Sequence, residues 1–167
     1  MRAVAGVIVV AVLCLSAQAG PLATDPLAYN DGITTWHGTQ EFQIGTLHAF
    51  VDYCAYPPGA FPYPDYAGGP GEFVYAYQVH SVGQAAVTSM SIKMLDSNEA
   101  QNIGTFALPG VAPDEYDFDF PPPNVGQATW IYYGGVNTGQ DSIGMVYASV
   151  NVPLWNDGSL QDGGASG

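Results

Sequence analysis

The strongest pattern along the chain is alternation. From Phe73 to His80, the residues Phe73, Tyr75, Tyr77 and Val79 fall on one face, while Val74, Ala76, Gln78 and His80 fall on the other. Only an extended, pleated chain imposes that period of two. A second run sets Met90, Ile92 and Met94 against Ser89, Ser91 and Lys93. The two runs meet at Ser81-Val82-Gly83-Gln84, where Gly83 can take positive φ at little cost, so together they predict a β-hairpin. Two strands alone are marginal in water, so the rest of the chain has to supply a sheet and a covering layer. With that layer present, the aromatic face Phe73, Tyr75 and Tyr77 belongs to the core.

The same reading predicts strands elsewhere. Leu47 to Tyr56 carries apolar bulk on both faces, which suits a central strand. Ile33 to Ile44 is broken by Gly38 and reads as two short strands or one bulged strand. Ile103 to Leu108, Gln127 to Tyr133 and Ser142 to Val152 follow, the last being the expected final strand. No stretch has helical spacing and no repeat is visible. Short strands with turn signals between them predict an all-β fold, an antiparallel two-sheet β-sandwich, immunoglobulin-like or jelly-roll, of about seven to nine strands.

Two stretches interrupt the alternation. Pro57 to Gly71 holds five prolines and four glycines in fifteen residues, which excludes helix and central strand and predicts a long surface loop. Its Phe61, Tyr63 and Tyr66 either fold back as a lid on an open sheet edge or stand out as a platform for a sugar or polymer. Pro113 to Asn124 reads as a second loop, with Asp114, Glu115, Asp117 and Asp119 interleaved with Tyr116, Phe118 and Phe120. Asp117 and Asp119 would point the same way in an extended piece and are the candidate calcium ligands. The stretch lacks the glycine and distal glutamate of a calcium loop, and a solvated acidic edge that discourages strand addition explains it as well.

The ends complete the organisation. Met1 to Ala19 has one basic residue, Arg2, an apolar run to Leu15, and Ala17 with Ala19 as a small-x-small site. It reads as an export signal cleaved after Ala19, and the run is too short to span a bilayer. Cys14 raises the alternative of a lipid anchor, but Leu13 stands where such anchors want a small residue. Residues 20–32 read as an arm, 33–155 as the sandwich, and 156–167 as a flexible glycine-rich tail.

Composition narrows the partners. After cleavage Lys93 is the only Lys or Arg against 15 acidic residues, a field that repels nucleic acid and anionic membrane surfaces. Apolar residues make up 47% and charged residues 10%, so the chain is no disordered acidic polymer. Cys54 is left without a disulfide partner inside the mature chain and reads as a small buried side chain. His37, His48 and His80 are scattered one to a segment and read as strand residues. There is no Gly-x-Ser-x-Gly elbow, phosphate-cradling glycine loop or Cys-x-x-Cys. A carboxylate pair for sugar hydrolysis would leave no local signature.

Several segments carry a resemblance: VDYCAYPPG, then FVYAYQVHSVGQAAVTSMSIKML, NIGTF, Trp130, a Gly-x-Asp-Ser turn, and Pro153-Leu154-Trp155 after an export signal. In this order they resemble exported bacterial proteins of the PEP-CTERM-associated type found in planctomycetes and similar bacteria. The resemblance implies a secreted β-sandwich at the cell surface or in extracellular matrix and brings no catalytic residues. The sequence departs from the tailed pattern, with no Pro-Glu-Pro and no basic end at Gly167. The expected function is therefore non-enzymatic attachment or self-association outside the cell. The alternative is a carbohydrate-binding module using Tyr63, Tyr66 and Trp155, with calcium at Asp117 and Asp119.

Overall fold

The computed structural model describes residues 20–94, 100–119, 126–155 and 158–162, so the expected signal segment lies outside it. Among the described residues there are nine strands: β1 (His37–Ile44), β2 (Leu47–Tyr56), β3 (Phe73–Ser81), β4 (Val87–Lys93), β5 (Gln101–Phe106), β6 (Glu115–Asp119), β7 (Gln127–Val136), β8 (Gly144–Ser149) and β9 (Gly158–Asp162). They form two antiparallel sheets, β1-β2-β3-β8-β5 and β6-β7-β4-β9, and hence the expected β-sandwich. No helix among the described residues is long and apolar enough to cross a membrane.

Alternation sorts the residues of β2, β3 and β8 in the first sheet between two cores. Leu47, Ala49, Val51, Val79 and Met145 meet Met90, Trp130, Val136 and Leu160 of the second sheet in the space between the layers. Trp130 is fully buried there, and its indole N–H donates to the Gly104 carbonyl at 2.9 Å, which satisfies its one polar atom. The opposite face of the first sheet offers Cys54, Tyr56, Val74, Ala76, Phe106 and Val146. A sheet with two apolar faces needs a third cover, and the proline-rich loop with the amino-terminal segment provides it.

That requirement explains what the lead-in segment does. Residues 20–32 begin with a 3-10 helix (Pro21–Thr24) whose Leu22 is fully buried on the outer face. The Tyr56 hydroxyl donates to Asp25 at 2.8 Å and the Tyr29 amide donates to Ala55 at 2.7 Å. The segment read from sequence as an arm is thus packed along β2.

Three sequence expectations are corrected. The β3 and β4 runs do not form a hairpin: β3 pairs with β2 and β8, whereas β4 pairs with β7 and β9 in the other sheet. Val82 and Gly83 donate their amides to His48, and Gln84 and Ala85 donate theirs to Thr46, so the β1–β2 turn takes up the polar groups a hairpin would have used. Within Pro113 to Asn124, Glu115–Asp119 is not loop but an edge strand, paired only with β7. Within the expected tail, Gly158–Asp162 pairs with β4, and Leu160 is 9% exposed. The last strand is therefore β9 and not the Ser142 to Val152 run.

Candidate functional site

At the β1 and β9 side of the sandwich the two sheets part and leave a cleft of about 350 Å³. Tyr75 and Tyr77 of β3 and Tyr147 of β8 form its floor, Met90 and Ile92 of β4 face them, and Pro153 to Trp155 form the rim. Tyr75 and Tyr147 stack with centroids 4.9 Å apart and planes 11° apart, and Tyr77 continues the row at 6.2 Å. These tyrosines point inward because β3 alternates and its other face is taken by Val74 and Ala76.

Trp155 is 68% exposed, yet its ring is held. Its centroid lies 5.0 Å from Trp36 and 5.8 Å from Tyr53, which meets it edge-on at 78°. Trp36 in turn is 9% exposed and donates its indole N–H to Asp31 at 3.2 Å. A large apolar ring fixed at the mouth of a cleft, with one face supported and much of its surface in water, can accept a flat apolar face from solution. Burial pushes the Tyr77 phenol up to about 12, a hydrogen bond from Tyr147 notwithstanding, and burial raises Tyr53 too. The phenols lining the cleft are therefore neutral, the Tyr75 hydroxyl donating to the Asn151 carbonyl at 2.8 Å, and Gln40 and Ser159 add further polar groups.

The other sequence-predicted site residues lie elsewhere. Tyr63 and Tyr66 are on the outer face of the first sheet, away from Trp155. The Tyr63 ring lies 4.5 Å from Phe106, and the Tyr66 hydroxyl donates to the Asn102 carbonyl. Phe61 sits among them, its centroid within 5.2 to 5.8 Å of Tyr56, Tyr63, Tyr66 and Phe106. The loop is a lid, as the inward-folding alternative had it. Asp117 and Asp119 lie on exposed edge strand β6, and Asp117 accepts the Phe118 amide at 2.7 Å. No group of three or more His, Cys, Asp or Glu is arranged to hold a metal ion among the described residues.

A polar cluster has no signature in the sequence. His80 is bracketed by two carboxylates, Nε2 to Asp52 at 3.1 Å and Nδ1 to Asp141 at 2.9 Å. Asp52 is fully buried and also accepts from the Thr39 hydroxyl at 2.5 Å and from the Gly20 amide. Burial opposes charge on His80, but the two carboxylates outweigh it and hold its pKa above the usual value. Burial likewise opposes charge on Asp52, and its hydrogen bonds from His80, Thr39 and Gly20 outweigh it and hold that pKa low. With both ring nitrogens engaged, His80 ties three segments together. Cys54 is buried, and burial pushes its thiol up to about 12, far from the reactive thiolate range.

No protein-family model, curated protein or solved structure matches the chain.

Proposed function

We propose that this is an exported, non-enzymatic attachment module that holds a saccharide chain in the cleft beside Trp155. The observation that carries the reading is the supported, outward-facing Trp155 ring above a row of three tyrosines. Sugars present C–H faces that stack on indole and phenol rings, while neutral hydroxyl and amide groups around the rings suit their hydroxyls. The acidic surface disfavours anionic polymers, which directs the choice to neutral glycans. The expected export signal and the resemblance to surface-associated bacterial proteins support a partner outside the cell.

The test is binding of the chain from Gly20 to a panel of neutral glycans by array and calorimetry. Binding that falls at least about tenfold in Trp155→Ala supports the reading, since a stacked aromatic ring with the area it buries is worth about 1.4 kcal/mol or more. Absence of binding across the panel overturns it. A second reading has its own observation: Val150, Val152, Leu154 and Trp155 form an exposed apolar run, which suits self-association. Sedimentation at rising concentration separates the two, because a self-associating chain gains mass without any glycan.

A further inference from the structure

The place where the polar cluster meets the amino-terminal segment goes beyond binding. Gly20 directs its backbone nitrogen at the Asp52 carboxylate, which is fully buried. The position is tight for any side chain: a Cβ there would stand 2.6 Å from the Asp52 carboxylate and 3.2 Å from the His80 ring, so one of them would have to shift. The following residues are fixed in turn, with Leu22 fully buried and the Ala23 carbonyl 2.5 Å from His37 Nδ1. Gly20 is also the residue that follows the small-x-small site Ala17-Gln18-Ala19. Two independent features, one of sequence and one of geometry, therefore fall on the same nitrogen.

Charge counting gives that nitrogen a task. The cluster contains two carboxylates, Asp52 and Asp141, and one imidazole, His80. Even with His80 protonated the cluster carries a net negative charge; Asp141 is 51% exposed and meets water, but Asp52 is fully buried, so a second cation beside Asp52 is favourable. Past residue 19 the only Lys or Arg is Lys93, which lies on β4 of the other sheet. A free α-amino group is the remaining cation within reach, and it is protonated below a pKa of about 8.

We propose that export processing cuts the Ala19–Gly20 bond and that the new α-ammonium of Gly20 forms a buried ion pair with Asp52, locking the amino terminus onto the sandwich. In the cut an export peptidase adds water across the amide: the hydroxyl goes to the Ala19 carbonyl carbon, the C–N bond breaks, and the proton goes to the Gly20 nitrogen. At neutral pH this yields a carboxylate on the released signal and an ammonium on the mature chain. Before the cut the same nitrogen is a neutral amide donor, so processing adds one charge at a buried partner and stabilises the folded chain only once the signal is gone.

The test begins with intact mass of the protein recovered from a bacterial export host, where a chain starting at Gly20 is expected and any other start overturns the proposal. A chain beginning at a free Gly20 is then compared with the same chain N-acetylated, which keeps the N–H donor and removes the charge. The acetylated form is expected to melt about 5 °C lower or more at neutral pH, the scale expected when a buried charge loses its partner in a domain of this size. Equal melting temperatures overturn the proposal. Because an acetyl group also adds bulk beside Asp52, the α-amino pKa of the unmodified chain is read by NMR titration of 13C-labelled Gly20. A value above the usual range of about 8 supports the ion pair, and an ordinary value overturns it.

Discussion

Two aromatic clusters border the first sheet, and they differ in where their rings point. The lid of Phe61, Tyr63 and Tyr66 covers the outer face, with its rings against one another and against Phe106 and the Tyr66 hydroxyl bonded to a backbone carbonyl. The cleft cluster keeps Trp155 largely in water while Trp36 and Tyr53 support it from behind. The lid rings come from one aromatic-rich loop after β2, whereas Trp155 is the single aromatic in the segment after β8 and draws its supports from elsewhere. What separates them is how many ring faces the fold has already used. The lid has used nearly all of its own on a sheet face that would otherwise be wet, and so contributes stability; the rim of the cleft has left a face open.

The contrast is broken most directly at the lid. Phe61→Ala removes the ring that touches four others, and should cost about 2 to 3 kcal/mol, lowering the melting temperature by roughly 8 °C in a domain of this size. Thermal unfolding checks it, and a loss below about 0.5 kcal/mol would mean the loop is not the cover described here.

A smaller effect concerns the polar cluster beneath the lead-in segment. His80 has a folded pKa raised above 6.5, so its contribution is full below pH 6.5 and is lost as pH rises through the folded value. Asp52 has a folded pKa lowered below 3.8, so its contribution is present above pH 3.8 and is lost as pH falls through the folded value. Stability from this pair should therefore be greatest between about pH 4 and 6.5, and decline on both sides. Melting temperatures across pH 3 to 9 check this, and His80→Gln should flatten the alkaline limb.

The smallest effect is expected at β6. Asp117→Asn and Asp119→Asn sit on an exposed edge and should each change stability by less than about 0.5 kcal/mol, with calcium leaving the melting temperature unmoved. A calcium-dependent rise that either substitution abolishes would restore the metal site suggested by their alternation.

How much of this was legible in the sequence depends on how local the determinants are. Strand β2 was readable end to end, and β3 nearly so, because alternation and flanking prolines and glycines are local signals. The pairing of β3 was not, since Gly83 marks a turn without saying which strand follows it in space, and the chain crosses to the other sheet there. Strand β9 has one buried apolar residue, Leu160, and acquires its structure from β4, some seventy residues earlier in the chain, so its glycines and aspartates read as a tail. In β6 the alternation of Tyr116 and Phe118 with acids was visible, but the neighbouring prolines argued for a loop.

The site divides the same way. Trp155 could be singled out as an aromatic beyond the strands, whereas its supports Trp36 and Tyr53 come from segments about a hundred residues away. Alternation along β2 puts Tyr53 on the face of Leu47, Ala49 and Val51, which is the face that meets the cleft. Nothing in spacing foretold the cluster of Asp52, His80 and Asp141, whose members are 28 and 61 residues apart along the chain.

The central claim is that open ring surface, not aromatic content, marks the binding face. Its most direct test is to measure one neutral glycan, taken from the panel, against Trp155→Ala and against the Tyr63→Ala, Tyr66→Ala double variant, with melting temperature recorded for each. The account predicts that Trp155→Ala keeps its melting temperature within a few degrees and loses at least about tenfold in affinity, while the double variant melts lower and binds as the parent does. Binding lost in the folded double variant and retained in Trp155→Ala would contradict it.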